Sequence, residues 1–462
     1  MSNSSARAAM PGEEFNRMTE GALWRNILFI SLPLILSQIL QVLFNMADVA
    51  VVGRFSSSEA MGSVGSTSIL VTLFTGFLIG MGSGVNVCVA RYLGAGNRER
   101  VLRTIHTSFV LCLGMGMIIC AVCFVLARPL LELIRTKDEL IDGAVLYFRI
   151  YALGMPALGI FNFGNAVLSA NGDTRRPLYY LLAAGILNVI LNLLFIIVFK
   201  MSADGVALAS IISQYLSAVL VLIHMLRQGG ACGLYLRYIK PNAAAVREVL
   251  ALGLPAALQN AIFAIANLFI QTGVNYFDHV VVEGNSAAAN SDALVYNVMA
   301  AFYTACSSFM GQNMGAGKRD RVLKSYFICL FYSFLAGAML GGGLVLFGDE
   351  FLALFTKDPD VAAAGMLRLR VMGFSYAVSA FMDCTIAASR GIGKGFVPTV
   401  IVILGSCVFR VVWVYTVFAH FHTLPALYLL YIFSWSITAV AEIVYFVISY
   451  KKLPANGQLL QQ

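Results

Sequence analysis

Asp48 stands inside a run of hydrocarbon. Residues 27–52 are almost wholly apolar, yet this carboxylate sits near the far end of the run, in Asn45-Met-Ala-Asp48-Val-Ala-Val-Val-Gly53-Arg54. An ionisable group in lipid is costly, and such groups mark proton or ion sites. A later run, 178–199, carries Asn188 and Asn192 four residues apart, which puts both amides on one helix face. The run 205–226 places Ser210 about one and a half turns from its start. At helical rise all four residues fall in the same half of a bilayer. One carboxylate, two amides and a hydroxyl form a candidate site for a proton or a small hard cation. The amides and the hydroxyl serve equally well as interhelical hydrogen-bonding groups.

Other charges lie deep in apolar runs. Asp383 and Arg410 stand on consecutive antiparallel predicted helices and read as a buried ion pair, with Glu442 a competing partner for Arg410. Arg149, Arg368 and Arg370 lie nearer helix ends and read as snorkelling side chains. Asp278, Glu283 and Asp292 are assigned to an outer loop after the seventh run. Nine cysteines show neither disulfide nor zinc spacing, so no metal site is expected. His106 and His224 occur singly near run ends, and His420 and His422 in a loop, so no nucleophilic or His-cluster chemistry is placed at membrane depth. Arg319 follows Lys318 where a P-loop needs Ser or Thr, which removes nucleotide binding and leaves no cofactor expected beyond H⁺ or Na⁺ as coupling ion.

The elements that must position these residues are membrane spans. Hydrophobic residues make up 59% of the 462 and charged residues 12%, far from soluble composition. Apolar runs occur at 27–52, 64–89, 102–127, 141–170, 178–199 and 205–226, then at 248–276, 287–312, 323–347, 361–389, 397–419 and 425–449. Each is long enough to cross about 30 Å of hydrocarbon as helix. Continuous runs exclude the alternating segments of a β-barrel. The expectation is an all-α polytopic membrane protein of twelve helices in the inner (plasma) membrane, with no cleaved signal peptide. Lys and Arg gather in alternate loops, as in Arg91, Arg98, Arg100 and Arg103 and again in Lys318, Arg319, Arg321 and Lys324, whereas the loops between hold few, such as Arg54, Lys200 and Lys357. That bias puts both termini in the cytoplasm. It also explains the formal charge of +8 without nucleic acid.

The chain repeats itself at a spacing of about 220 residues. Leu32-Pro33 recurs as Leu254-Pro255, Gly94-Ala95-Gly96 as Gly315-Ala316-Gly317, and Thr136-Lys137-Asp138 as Thr356-Lys357-Asp358. The Gly-Ala-Gly segments read as helix ends. With six spans in each half, the halves are parallel repeats about an axis along the membrane normal. The expected organisation is a cytoplasmic segment 1–24, a first lobe 25–227, a cytoplasmic linker 228–247 made flexible by Gly229, Gly230 and Gly233, a second lobe 248–450 and a cytoplasmic tail 451–462. Pro33 and Pro255 are expected to kink the first helix of each lobe. Asp48 maps onto Phe269 or Ile270, so the second lobe has no matching acid.

On these residues the chain resembles the multidrug and toxic compound extrusion (MATE) family, in its DinF-like and archaeal-type branch. The likeness runs from about Trp24 to Lys452 and rests on Leu32-Pro33, the Asn45 to Arg54 stretch, Ala90-Arg91-Tyr92-Leu93-Gly94-Ala95-Gly96 and Gly205-Val206-Ala207-Leu208-Ala209-Ser210. The resemblance implies two lobes around a V-shaped central cleft and export of an organic cation or amphipathic compound in exchange for H⁺ or Na⁺. It implies the helix-one carboxylate at Asp48, the helix-five amide at Asn188, a hydroxyl at Ser210 where the family has Thr, Pro33 at the helix-one proline, and cleft residues Gln41, Asn162 and Asn165. The family's Asn-x-x-x-Asp in helix five is here Asn188-Val-Ile-Leu-Asn192, so the second carboxylate is missing. A lone carboxylate offsets less of the cost of dehydrating Na⁺, which favours H⁺. The partners expected are a small molecule and the lipid bilayer, with the chain a monomer. The alternatives are a flippase for a lipid-linked oligosaccharide or other amphipathic lipid and, further off, a membrane-embedded enzyme.

Overall fold

The computed structural model describes residues 18–55 and 58–453; most of the expected terminal segment 1–24 and most of the tail 451–462 lie outside the described residues. Among the described residues there is no strand. Twelve spans follow in order. The first lobe holds α1 (Leu23–Phe55), α2 (Ser58–Gly94), α3 (Arg98–Val125), α4 (Asp138–Ala152 continued as Met155–Ala170), α5 (Arg175–Val198) and α6 (Ala203–Arg227). The second holds α7 (Ala243–Val274), α8 (His279–Gly315), α9 (Arg319–Leu346), α10 (Pro359–Gly391), α11 (Phe396–Phe421) and α12 (Leu424–Lys451). Eleven are single helices long and apolar enough to cross a membrane, and α4 joins two pieces through a 44° bend.

The repeat is visible in fine detail. Gly96 and Gly317 both take left-handed φ, 66° and 69°, and each closes its helix: Asn97 N–H reaches back to Tyr92 O and Lys318 N–H to Asn313 O. The fifth helix of each lobe relaxes into a π-helical turn near its end, Leu194–Val198 in α5 and Val414–Phe418 in α11. Pro33 and Pro255 lie within helices that continue unbroken through them.

Close backbone approach joins the lobes. At Gly80 and Gly84 of α2, a Cβ would fall on the backbone of Ala257 and Gly253 of α7. The repeat-related Gly94 and Gly315 do this reciprocally: Gly94 lies on the Gln312 carbonyl and Gly315 on the Arg91 carbonyl. We call the end carrying these two glycines the base. Ser308 Oγ donates to Asn86 Oδ1 (2.9 Å), Gln312 Nε2 to Ala170 O (2.6 Å) and Asn260 Nδ2 to Gly76 O (2.9 Å). The first described residues are held there too, with Asn313 Nδ2 donating to Met18 O (3.0 Å) and Lys318 Nζ to Thr19 O (2.9 Å). The lobes are therefore joined from the base up to the Gly76–Asn260 contact.

Three sequence readings are corrected. The supposed outer loop with Asp278, Glu283 and Asp292 is helix: Asp278 caps α8, accepting from Val281 N (3.0 Å), and the other two lie inside it. Arg368 does not snorkel; it is 5% exposed. The segment between lobes is not free either. Its Cys232 and Leu234 are buried in the core, Leu234 N–H donates to Met225 O (2.9 Å) and Tyr235 N–H to His106 Nε2 (2.9 Å).

Candidate functional site

A small residue brings the first-lobe site together. Gly185 of α5 has no side chain where the Phe44 ring of α1 lies, and a Cβ there would fall on that ring. The two parallel helices are thus in contact one turn below Asp48. Helical rise then sets Asp48 beside Asn188 and Asn192. Asn192 Nδ2 donates to Asp48 Oδ1 at 2.5 Å and also reaches Asn188 Oδ1 at 3.2 Å. Both asparagines are buried, whereas Asp48 is half-buried. Asn192 Oδ1 is buried without a hydrogen-bond partner. Its amide therefore has an acceptor to spare beside a carboxylate.

Above this group an apolar cluster of Val51, Val52, Tyr147, Ile196 and Val206 closes the packing. Tyr147 of α4 belongs to this cluster and Tyr151 packs against it, their rings stacked with centroids 6.0 Å apart. Sequence reasoning passed over both tyrosines. Their four-residue spacing within an otherwise apolar run is the one trace they leave.

The remaining expected residues are placed differently. Ser210 is buried on α6, and among the described residues it makes no hydrogen bond to Asp48 or the two amides. Gln41 lies two turns nearer the base, partly exposed. Asn162 Nδ2 donates to Leu158 O (3.0 Å), and Asn165 Oδ1 accepts from Ser169 Oγ (3.5 Å), so both amides are engaged by their own helix.

In the second lobe Asp383 and Arg410 do not form an ion pair among the described residues. Arg410 is 2% exposed; its Nε donates to Ser434 Oγ (3.3 Å) and Nη1 to Asn267 Oδ1 (3.4 Å). Its guanidinium lies over the rings of Tyr431 (4.8 Å), Trp435 (5.5 Å) and Phe263 (5.6 Å), a favourable setting for a buried cation. Asp383 lies near Arg390 and Arg410. Arg390 Nη2 donates to Gln259 Oε1 (2.6 Å), and Glu442 is fully buried with neither oxygen hydrogen-bonded.

A second buried network was not legible as such. Asp292 pairs with Arg368 and also accepts from the Tyr376 hydroxyl. Arg368 Nη1 donates to Asn285 Oδ1 at 2.6 Å, and the Tyr428 hydroxyl donates to the same oxygen at 3.3 Å. Three spans, α8, α10 and α12, are joined by this one guanidinium and its neighbours. No group of His, Cys, Asp or Glu among the described residues can hold a metal ion.

Comparison with known proteins bears on the fold and the family. A family model described as MatE matches twice, over residues 33–194 and 255–416, each match beginning on one of the repeated prolines. The probable multidrug resistance protein YpnP of Bacillus subtilis is 28% identical over 358 residues, 78% of this chain and 80% of its own length. An FAD transporter of Shewanella oneidensis is 25% identical over 346 residues, 73% and 75% of the two chains. A solved structure described as an outward-facing conformation of a multidrug resistance MATE family transporter superposes with a TM-score of 0.88 at 21% identity, covering 95% of this chain and 98% of that one. It shares the fold.

Proposed function

Because the chain belongs to the MatE family, whose members are membrane transporters and not enzymes, we propose that it is a secondary active efflux antiporter. It exports organic cations or amphipathic compounds by alternating access, in exchange for H⁺, and Asp48 is the coupling group. The observation that carries this reading is the half-buried Asp48 carboxylate held by Asn192 in one lobe alone. Ionised, Asp48 accepts from Asn192 Nδ2. Protonated, it becomes a donor, and Asn192 Oδ1 is the unpartnered acceptor beside it. One amide can satisfy both states, so the gain and loss of a proton changes the site's charge without leaving a polar group stranded. A cationic substrate in the cleft favours the ionised form, which makes proton and substrate mutually exclusive occupants.

The names of the relatives support drug export, and one of them, an FAD transporter, shows that substrates differ among similar chains. In this reading the base faces the cytoplasm, as the basic loops require, the protein sits in the plasma membrane as a monomer with both termini inside, and the cleft is open outward. The flippase alternative needs a cationic cavity for a pyrophosphate. Arg390 and Arg410 have Asp383 and Glu442 beside them, which disfavours it.

The test is transport of a fluorescent organic cation in proteoliposomes under separately imposed H⁺ and Na⁺ gradients. Wild type should respond to the proton gradient, and Asp48→Asn should lose gradient-driven transport while eluting as a folded protein. Transport by Asp48→Asn at the wild-type rate would sink the assignment.

A further inference from the structure

Away from the central cleft, the base carries two adjoining cavities that meet at Pro241. The first, about 560 Å³, is lined by Arg98, Arg103 and Lys240 together with Tyr235 and Tyr238. The second, about 970 Å³, is a groove between α7 and α11 whose single charge is Arg247. Arg103 is paired with Glu99 (2.6 Å), but Arg98, Lys240 and Arg247 have no ion-pair partner among the described residues. Along the groove Val246, Leu250, Leu254 and Leu258 form one stripe of α7, about 18 Å long by helical rise. That is close to the depth of one leaflet, half of a hydrocarbon core of about 30 Å.

Two features make this a built site and not a generic lipid-facing surface. Thr399, 4% exposed, lines the groove one turn inside α11, and its hydroxyl has no hydrogen-bond partner. The loop bearing Lys240 is also fixed: Asn242 N–H donates to Thr107 Oγ1 (3.2 Å), and Asn242 Oδ1 caps α7 by accepting from Ala245 N (3.1 Å).

We propose that this cavity pair binds one anionic phospholipid. Its phosphate lies among Arg98, Lys240 and Arg247, an ester carbonyl accepts from Thr399 Oγ1, and one acyl chain follows the leucine stripe. Basic pockets between spans at a membrane face are suited to such headgroups, and the apolar wall below holds a chain that free phosphate lacks.

The full-length protein is titrated in detergent with dioleoyl phosphatidylglycerol or dioleoyl phosphatidylcholine, and bound lipids are counted by native mass spectrometry. One phosphatidylglycerol is expected to remain bound at least tenfold more persistently than phosphatidylcholine. The double variant Lys240→Gln/Arg247→Gln should lose that preference, and Thr399→Val should weaken phosphatidylglycerol retention several-fold; both alter surface or single-methyl positions and keep the fold. Inorganic phosphate in excess should not displace the lipid. Equal retention of the two lipids, an unchanged preference in the double variant, or displacement by phosphate alone would each overturn the proposal.

Discussion

Asn192 Nδ2 donates to Asp48 Oδ1 at 2.5 Å, and the internal repeat carries this α1–α5 contact onto α7–α11, where Arg410 Nη1 donates to Asn267 Oδ1 at 3.4 Å. The fifth helix of one lobe offers an amide to an acid; the fifth helix of the other offers a base to an amide. The same pair of helices thus meets through an acid in one lobe and through a buried cation in the other. The backbone repeat is kept while the polar contact changes character, and the proposed ion coupling is accordingly confined to the first lobe.

Converting Asn192 to Asp tests that confinement. Two carboxylates at hydrogen-bond distance cannot both stay ionised without a cation between them. Asn192→Asp should therefore gain stimulation of transport by a Na⁺ gradient, absent in wild type, because the second acid supplies the charge that offsets Na⁺ dehydration. Transport assays in proteoliposomes at fixed pH with graded Na⁺ check this, and indifference of the variant to Na⁺ counts against it.

The glycine contacts at the base predict a conformational bias. Gly84 touches the Gly253 backbone only while α2 lies along α7 as it does here. A valine there overpacks this state by about 1–3 kcal/mol, and the base-open state that the proposed alternating access requires would escape the penalty. Such an energy shifts the ratio of states by about 5–150-fold. Spin labels at positions 100 and 324 should report a longer basal distance in Gly84→Val than in the unsubstituted background; identical distance distributions would refute the expectation.

Much of this was legible beforehand because lipid makes sequence unusually explicit. Span number, the repeat and Asp48 follow from long apolar runs, in which one charge stands out. The Asp292–Arg368 pair was missed for the converse reason. Helix α8 has a polar first half, Asn285, Ser286, Asn290, Ser291 and Asp292 among it, and polar composition there mimics a loop. Only the facing helix shows that Arg368 meets those groups. Tyr147 and Tyr151 were hidden for a related reason, since an aromatic residue in an apolar run carries no mark of which neighbour it serves. The linker's folding depends on contacts with α3 that no local pattern encodes.

Arg368 and Asp292 should behave as a unit. Their side chains are 6% and 26% exposed, and removing one partner of a buried pair costs about 3–5 kcal/mol because the other charge is left unpaired. Asp292→Leu alone is expected to lower the thermal midpoint in detergent sharply, whereas Asp292→Leu/Arg368→Met should recover most of the loss. A double variant no more stable than the single one would mean that Arg368 holds the helices through Asn285 and Tyr428 instead.

The folded linker makes a chemical prediction. Cys232 lies between the lobes, outside the spans, and burial pushes its thiol up to about 12. The thiolate is the reactive form, so at pH 7.4 almost none is present, and raising the pH to 9 still leaves the group protonated. A water-soluble maleimide should fail to modify Cys232 in the folded protein at either pH while modifying it readily after denaturation, as located by peptide mass spectrometry. Rapid modification at pH 7.4 would show that residues 228–242 leave α3 in solution. The pinned Lys240, and with it the lipid site at the base, would then lose its structural support.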